Sequence, residues 1–173
     1  MNWQKAVIAG LLCLPFIIML ALGFGRDPHA LPSMREGKPA PDFSLEGLDG
    51  KTYALKDLHD KPVLLNFWST WCQTCKYEHD LLLDAARTYG NDLHFLGIIF
   101  EDKESAVRAY LEREGQAYPH LIDPQAVVAI NYGVAAVPES FFIDRTGQVL
   151  YKRTGVLTPE ILKENLRKLL APR

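Results

Sequence analysis

Cysteine is scarce in this 173-residue chain: there are three, and one of them, Cys13, lies in an apolar run. That leaves Cys72 and Cys75 for everything downstream. A disulfide scaffold needs more bridges than one short pair can make, and a domain near 140 residues needs no staple. A net surplus of charge is also missing, with 19 Lys and Arg against 21 Asp and Glu, so there is no basic footprint for nucleic acid. Internal repeats and low-complexity tracts are absent. With 48% hydrophobic and 23% charged residues, the composition fits one ordinary globular domain.

Charge is missing locally as well, from Ala6 to Phe24. As a helix this stretch reaches roughly 28 Å, close to a bilayer core of about 30 Å. A cleaved signal peptide is the competing reading, but its apolar region is shorter, about 7–15 residues, and it ends in a small-residue site not evident here. The run therefore reads as an uncleaved anchor over residues 6–24. Lys5 and the amino terminus before it put residues 1–5 in the cytoplasm and the remainder outside. Cys13 reads as a small apolar residue of that span. Residues 25–41, rich in Pro, Gly and charge, read as a linker into a domain over 42–173.

Within that domain, Asp49-Gly50 suggests the turn of a short hairpin. Val63 to Trp68 and Leu93 to Phe100 are near-continuous apolar runs suited to buried central strands. Ser69 and Thr70 offer caps for a helix from about Cys72 to Tyr89. A second helix is expected from Lys103 to Glu114, with Ala106, Val107, Tyr110 and Leu111 on one face. A short strand at Leu121-Ile122 and a short helix from Pro124 to Asn131 follow. Asp144-Arg145-Thr146-Gly147 then marks a hairpin, and Thr158-Pro159-Glu160 caps a last helix. This alternation argues for a mixed α/β sheet flanked by helices.

The pair Cys72-Gln73-Thr74-Cys75 follows a buried strand and opens a helix. At a helix N-terminus the unpaired N–H groups and the dipole stabilise an anion, so Cys72 is the expected nucleophilic thiolate. Cys75, one turn on, can resolve a mixed disulfide. An inert disulfide is the bland alternative, disfavoured because closing so short a loop removes little chain entropy. A metal site is the other, since Cys72, Cys75 and His79 could bind copper as a metallochaperone does. A closed zinc site would need a fourth ligand, and His79 is expected to be a polar residue on the helix surface. Glu78 shares a helix face with Cys75, either as a solvated carboxylate or as a proton acceptor for the thiol.

Asn66-Phe67-Trp68-Ser69-Thr70-Trp71-Cys72-Gln73-Thr74-Cys75 resembles the active-site strand and helix start of the thioredoxin superfamily. Gly37 to Leu45, Cys75-Lys76-Tyr77-Glu78-His79 and Tyr132 to Phe141 are similar to the membrane-anchored thiol:disulfide interchange proteins of cytochrome c maturation, the DsbE/CcmG type. The resemblance covers roughly residues 35–173. It implies a thioredoxin-like fold, an extra segment over 101–132, and a redox-active Cys72–Cys75 disulfide. It also implies a cis peptide at Val137-Pro138, where backbone can pair with an extended client beside the sulfur. Trp71 and Glu78 would support the site, and Glu139 would line an acidic rim. Neither a metal nor a cofactor is implied. The implied role is an oxidoreductase of the bacterial inner membrane, facing the periplasm. Its partners would be apocytochrome c, or a chaperone presenting it for haem ligation, and a membrane thiol reductase that delivers electrons. A reductant of other exported proteins would share the same chemistry. Gln73 and Thr74 stand where related reductants often carry Pro, Ala136 where the branch often has Gly, and Asn66 where cytoplasmic thioredoxins bury an acid.

Overall fold

The structure, a computed structural model, describes residues 36–171 together with Trp3, Leu12 and Cys13. The expected span over 6–24 lies, apart from Leu12 and Cys13, outside the described residues. Among the described residues no helix is long and apolar enough to cross a membrane.

The elements follow in the order β1 (Ser44–Glu46), β2 (Thr52–Ala54), β3 (Val63–Trp68), α1 (Gln73–Tyr89), β4 (His94–Ile99), α2 (Glu104–Glu114), β5 (His120–Ile122), α3 (Val127–Tyr132), β6 (Glu139–Ile143), β7 (Val149–Thr154) and α4 (Pro159–Leu170). The main sheet has the order β5-β4-β3-β6-β7. β3 pairs parallel with β4 and antiparallel with β6, so the sheet is mixed. β1 and β2 form the expected hairpin, separate from the main sheet. The fold is thioredoxin-like, with α2, β5 and α3 in the segment the resemblance marked as extra.

β3 is the middle strand, and all six of its residues are buried. That is why it lacks polar alternation. Its odd-numbered side chains, Leu65 and Phe67, pack with Phe141, Ile143, Ile98 and Tyr132 on one face. Leu64 packs on the other face with Phe142, Phe95, Leu82, Leu162 and Leu166. Each such leucine stabilises the fold by roughly 1.5–3 kcal/mol relative to exposure. α1 buries Cys75, Glu78, His79, Leu82, Leu83, Ala85 and Ala86, the i, i+3, i+4, i+7 spacing of a core-facing stripe. Thr158 caps α4 as expected, accepting the Ile161 N–H at 3.4 Å with Pro159 in the first turn.

Residues 37–40 run beside the β6–β7 hairpin. Gly37 N–H donates to Val149 O, Ala40 N–H to Gly147 O, and Val149 N–H to Lys38 O. The expected turn closes on Gly147, whose φ of 78° is left-handed, the region that favours glycine.

Candidate active site

Trp68 ends β3, and the chain then turns sharply into α1. Neither Ser69 nor Thr70 caps that helix, because their hydroxyls are engaged elsewhere. Ser69 Oγ donates to the Phe100 carbonyl. Thr70 donates its N–H and its hydroxyl to Asp102 Oδ2, at 2.6 and 2.7 Å. The N-cap is Cys72 itself, whose sulfur accepts the Cys75 N–H at 3.1 Å. The first turn of a 17-residue helix therefore directs a backbone donor at the sulfur expected to be nucleophilic.

Cys72 and Cys75 are joined in a disulfide, and both are buried. The Thr74 hydroxyl lies 3.4 Å from Cys72 Sγ. Val137-Pro138 is cis, and the Val137 carbonyl oxygen stands 3.5 Å from Cys72 Sγ. Trp71, before the pair, is 57% exposed while its indole N–H donates to the Glu101 carbonyl. Trp68 and the two cysteines pack with Ile99, Val107, Tyr110 and Leu111 beneath α2. Lys76 is exposed.

Glu78 is not a solvated carboxylate: it is 1% exposed. Asn66 Nδ2 donates to its Oε1 at 2.9 Å and Leu157 N–H to its Oε2 at 2.6 Å. Asn66 also donates to Ser140 Oγ, so it ties α1 to β6. Burial pushes the Glu78 carboxyl up to about 7, although those two donors and the charge of Arg153 pull it down. The carboxyl is thus poised near neutrality, one turn beyond Cys75.

Two expectations need correction. His79 is not on the helix surface; it is buried, and its Nε2–H donates to the Gly115 carbonyl at 3.1 Å. That loop carbonyl, which helix periodicity does not reveal, meets the ring from the end of α2. Among the described residues, no group of three His, Cys, Asp or Glu is placed to hold a metal ion. Glu139 does not line an acidic rim; it is buried and pairs with Lys152 Nζ at 2.7 Å, with Thr154 Oγ1 donating to it at 3.3 Å. The Lys152 ammonium also donates to Gly133 O and lies 5.1 Å from the centre of the Phe141 ring.

Sequence reasoning missed Lys152 and His120. Trp68 Nε1–H donates to His120 Nδ1 at 3.1 Å, fixing the indole behind the sulfur pair. Burial, reinforced by the charge of His79, pushes His120 down to about 3, so the ring is neutral and can accept that bond. The only hint in the sequence is a histidine inside a short apolar strand.

The mixed sheet, the cis Val137-Pro138 facing a helix-capping Cys72 and the Cys72–Cys75 bridge define a thioredoxin-fold thiol:disulfide oxidoreductase. The Redoxin family model matches residues 35–170, and the chain belongs to that family. Relatives carry names of the same chemistry. The thiol:disulfide interchange protein DsbE of Escherichia coli K12 is 34% identical, the match covering 91% of this chain and 92% of that protein. The thiol:disulfide interchange protein HelX of Rhodobacter capsulatus is 32% identical over 93% and 96%. Among solved structures, a putative DsbE from Chlorobium tepidum superposes with a TM-score of 0.73 at 27% identity, covering 79% of this chain and 98% of that one.

Proposed function

We propose that the chain is a membrane-anchored periplasmic reductant that opens disulfides in apocytochrome c before haem attachment. The observation that carries this reading is the cysteine pair at the strand-to-helix junction, with Cys72 accepting the helix's own N–H and Val137 beside it. The names of the relatives supply its thiol:disulfide interchange chemistry. The residue motifs that resemble the cytochrome c maturation branch supply the client.

In the dithiol form, Cys72 thiolate attacks one sulfur of the client disulfide and expels the other as thiolate. The result is a mixed disulfide between Cys72 and the client. Cys75 loses its proton to Glu78 and attacks Cys72 Sγ, releasing the client as a dithiol and closing Cys72–Cys75. Two electrons pass from protein to client. Val137, whose carbonyl oxygen stands 3.5 Å from Cys72 Sγ, pairs through its backbone with the extended client, and Trp71 contacts it. Glu139, neutralised by Lys152, supports the Pro138 loop without adding a free negative charge. A membrane thiol reductase restores the dithiol, because an oxidising periplasm cannot. Residues 6–24 hold the domain at the inner membrane.

The test uses Cys75→Ser, which keeps the attacking sulfur and removes the resolving one. It is expected to accumulate a mixed disulfide with a haem-binding peptide, while Cys72→Ser forms none. Failure of the wild-type dithiol to reduce any protein disulfide would sink the proposal.

A further inference from the structure

A cavity of about 600 Å³ opens beside Trp71, between the loop after β4 and the segment after β5. The indole forms part of its wall, tied by its edge to the Glu101 carbonyl and more than half exposed. Three acids, Glu101, Asp102 and Asp123, line the cavity against one base, Lys103. Asp102 is occupied by Thr70 and the Lys103 N–H, and Asp123 by the N–H groups of Val128 and Ala129. Glu101 is different: it is exposed, and its carboxylate forms no ion pair among the described residues. One residue thus anchors the indole through its carbonyl and leaves a free carboxylate at the same wall. The backbone there is fixed in an unusual way. Glu101, Gln125 and Ala126, at φ 45°, 61° and 54°, are the non-glycine residues with positive φ among those described, and all three line this cavity.

An aromatic face with a carboxylate beside it selects a cation, through the ring quadrupole and direct charge attraction. We propose that this cavity is a specificity subsite for a basic side chain directly following the client's reacting cysteine. The occupant is an extended client segment, held at Val137 by its backbone and at Trp71 and Glu101 by that side chain. In a haem-attachment segment, C-x-x-C-H, the side chain in question is the histidine. The subsite rests on the exchange reaction proposed above and adds a reason for choosing one client over other exported disulfides. Glu101 acts as a specificity residue: it touches the client without taking part in sulfur chemistry.

The experiment presents the reduced full-length protein with two cystine peptides, one ending C-x-x-C-H and one with alanine for the histidine. The second-order rate constant for disulfide reduction is measured for each. The histidine peptide is expected to react about threefold to tenfold faster, the size of an exposed cation–π contact plus a surface ion pair. Glu101→Lys is expected to abolish or reverse that ratio, and Glu101→Gln to lower it. Equal rates for the two peptides with the wild type, or an unchanged ratio in Glu101→Lys, would overturn the subsite while leaving the exchange reaction standing. Reduction of neither peptide would overturn the exchange reaction and the subsite with it.

Discussion

A Cβ on Gly97 would stand 2.5 Å from His120 Nδ1 and 2.9 Å from Trp68 Nε1. This glycine is therefore required for space, where the hydrogen bond behind the sulfur pair crosses β4. Gly97→Ala must displace either ring, and overpacking of this kind costs about 1–3 kcal/mol. Urea unfolding is expected to show that loss, and the change of tryptophan emission on reduction should alter because Trp68 packs on both cysteines. The Glu139–Lys152 pair offers a second test at this scale. Lys152→Met leaves a buried carboxylate without its counter-charge, at an expected cost of about 3–5 kcal/mol. Glu139→Gln combined with Lys152→Met should recover much of that, and a double-mutant cycle in urea measures the coupling.

At the scale of elements, α1 and β5 each bring a shifted titratable group to the region behind the disulfide, and the two act in opposite senses. Glu78 has a folded value of about 7 against an ordinary 4.5, so its contribution to stability is full below about pH 4.5 and lost as pH rises through 7. His120 has a folded value of about 3 against 6.5, so its contribution is present above pH 6.5 and lost as pH falls toward 3. Between about pH 4.5 and 6.5 the two slopes, each about 1.4 kcal/mol per pH unit, cancel. Chemical denaturation across that window is expected to find Glu78→Gln gaining stability as pH rises and His120→Asn losing it, relative to the wild type. A parallel response of both variants would contradict the assignment. Most elements were legible because each has a local signature: unbroken apolar strands, Asp-Gly and Arg-Thr-Gly turns, and Thr158-Pro159 at a helix start. The helix repeat put Glu78 on the face of Cys75, but it could not bring Asn66 and the Leu157 N–H to it. His79 and His120 are 41 residues apart, and only the parallel pairing of β4 with β5 unites them behind Trp68. Lys152 reaches Glu139 from the neighbouring strand, across a hairpin whose register shifts between Phe142 and Ile143. Such pairings depend on tertiary register, which local patterns do not carry.

For the whole molecule, the direction of electron flow is decided by the relative stability of the dithiol and the disulfide. Gln73 and Thr74 between the cysteines, a cap bond to Cys72 and Glu78 near neutrality all contribute to that balance. A reductant is expected to be oxidised at equilibrium with a glutathione buffer, a result that alkylation and gel-shift of the Cys72–Cys75 pair can read. A pair that stays reduced there would make the molecule an oxidant instead.

Both margins of the five-stranded sheet are bonded in part by residues 36–48. On the β7 side, Gly37 and Lys38 bond Val149, and Glu36 accepts the Lys152 N–H. On the β5 side, Gly47 bridges Leu121 and the Leu48 N–H meets His120 O. An open sheet margin presents unpaired N–H and C=O groups that can recruit foreign strands into aggregates. With part of each margin already bonded, fewer edge backbone groups are left to pair with a foreign strand.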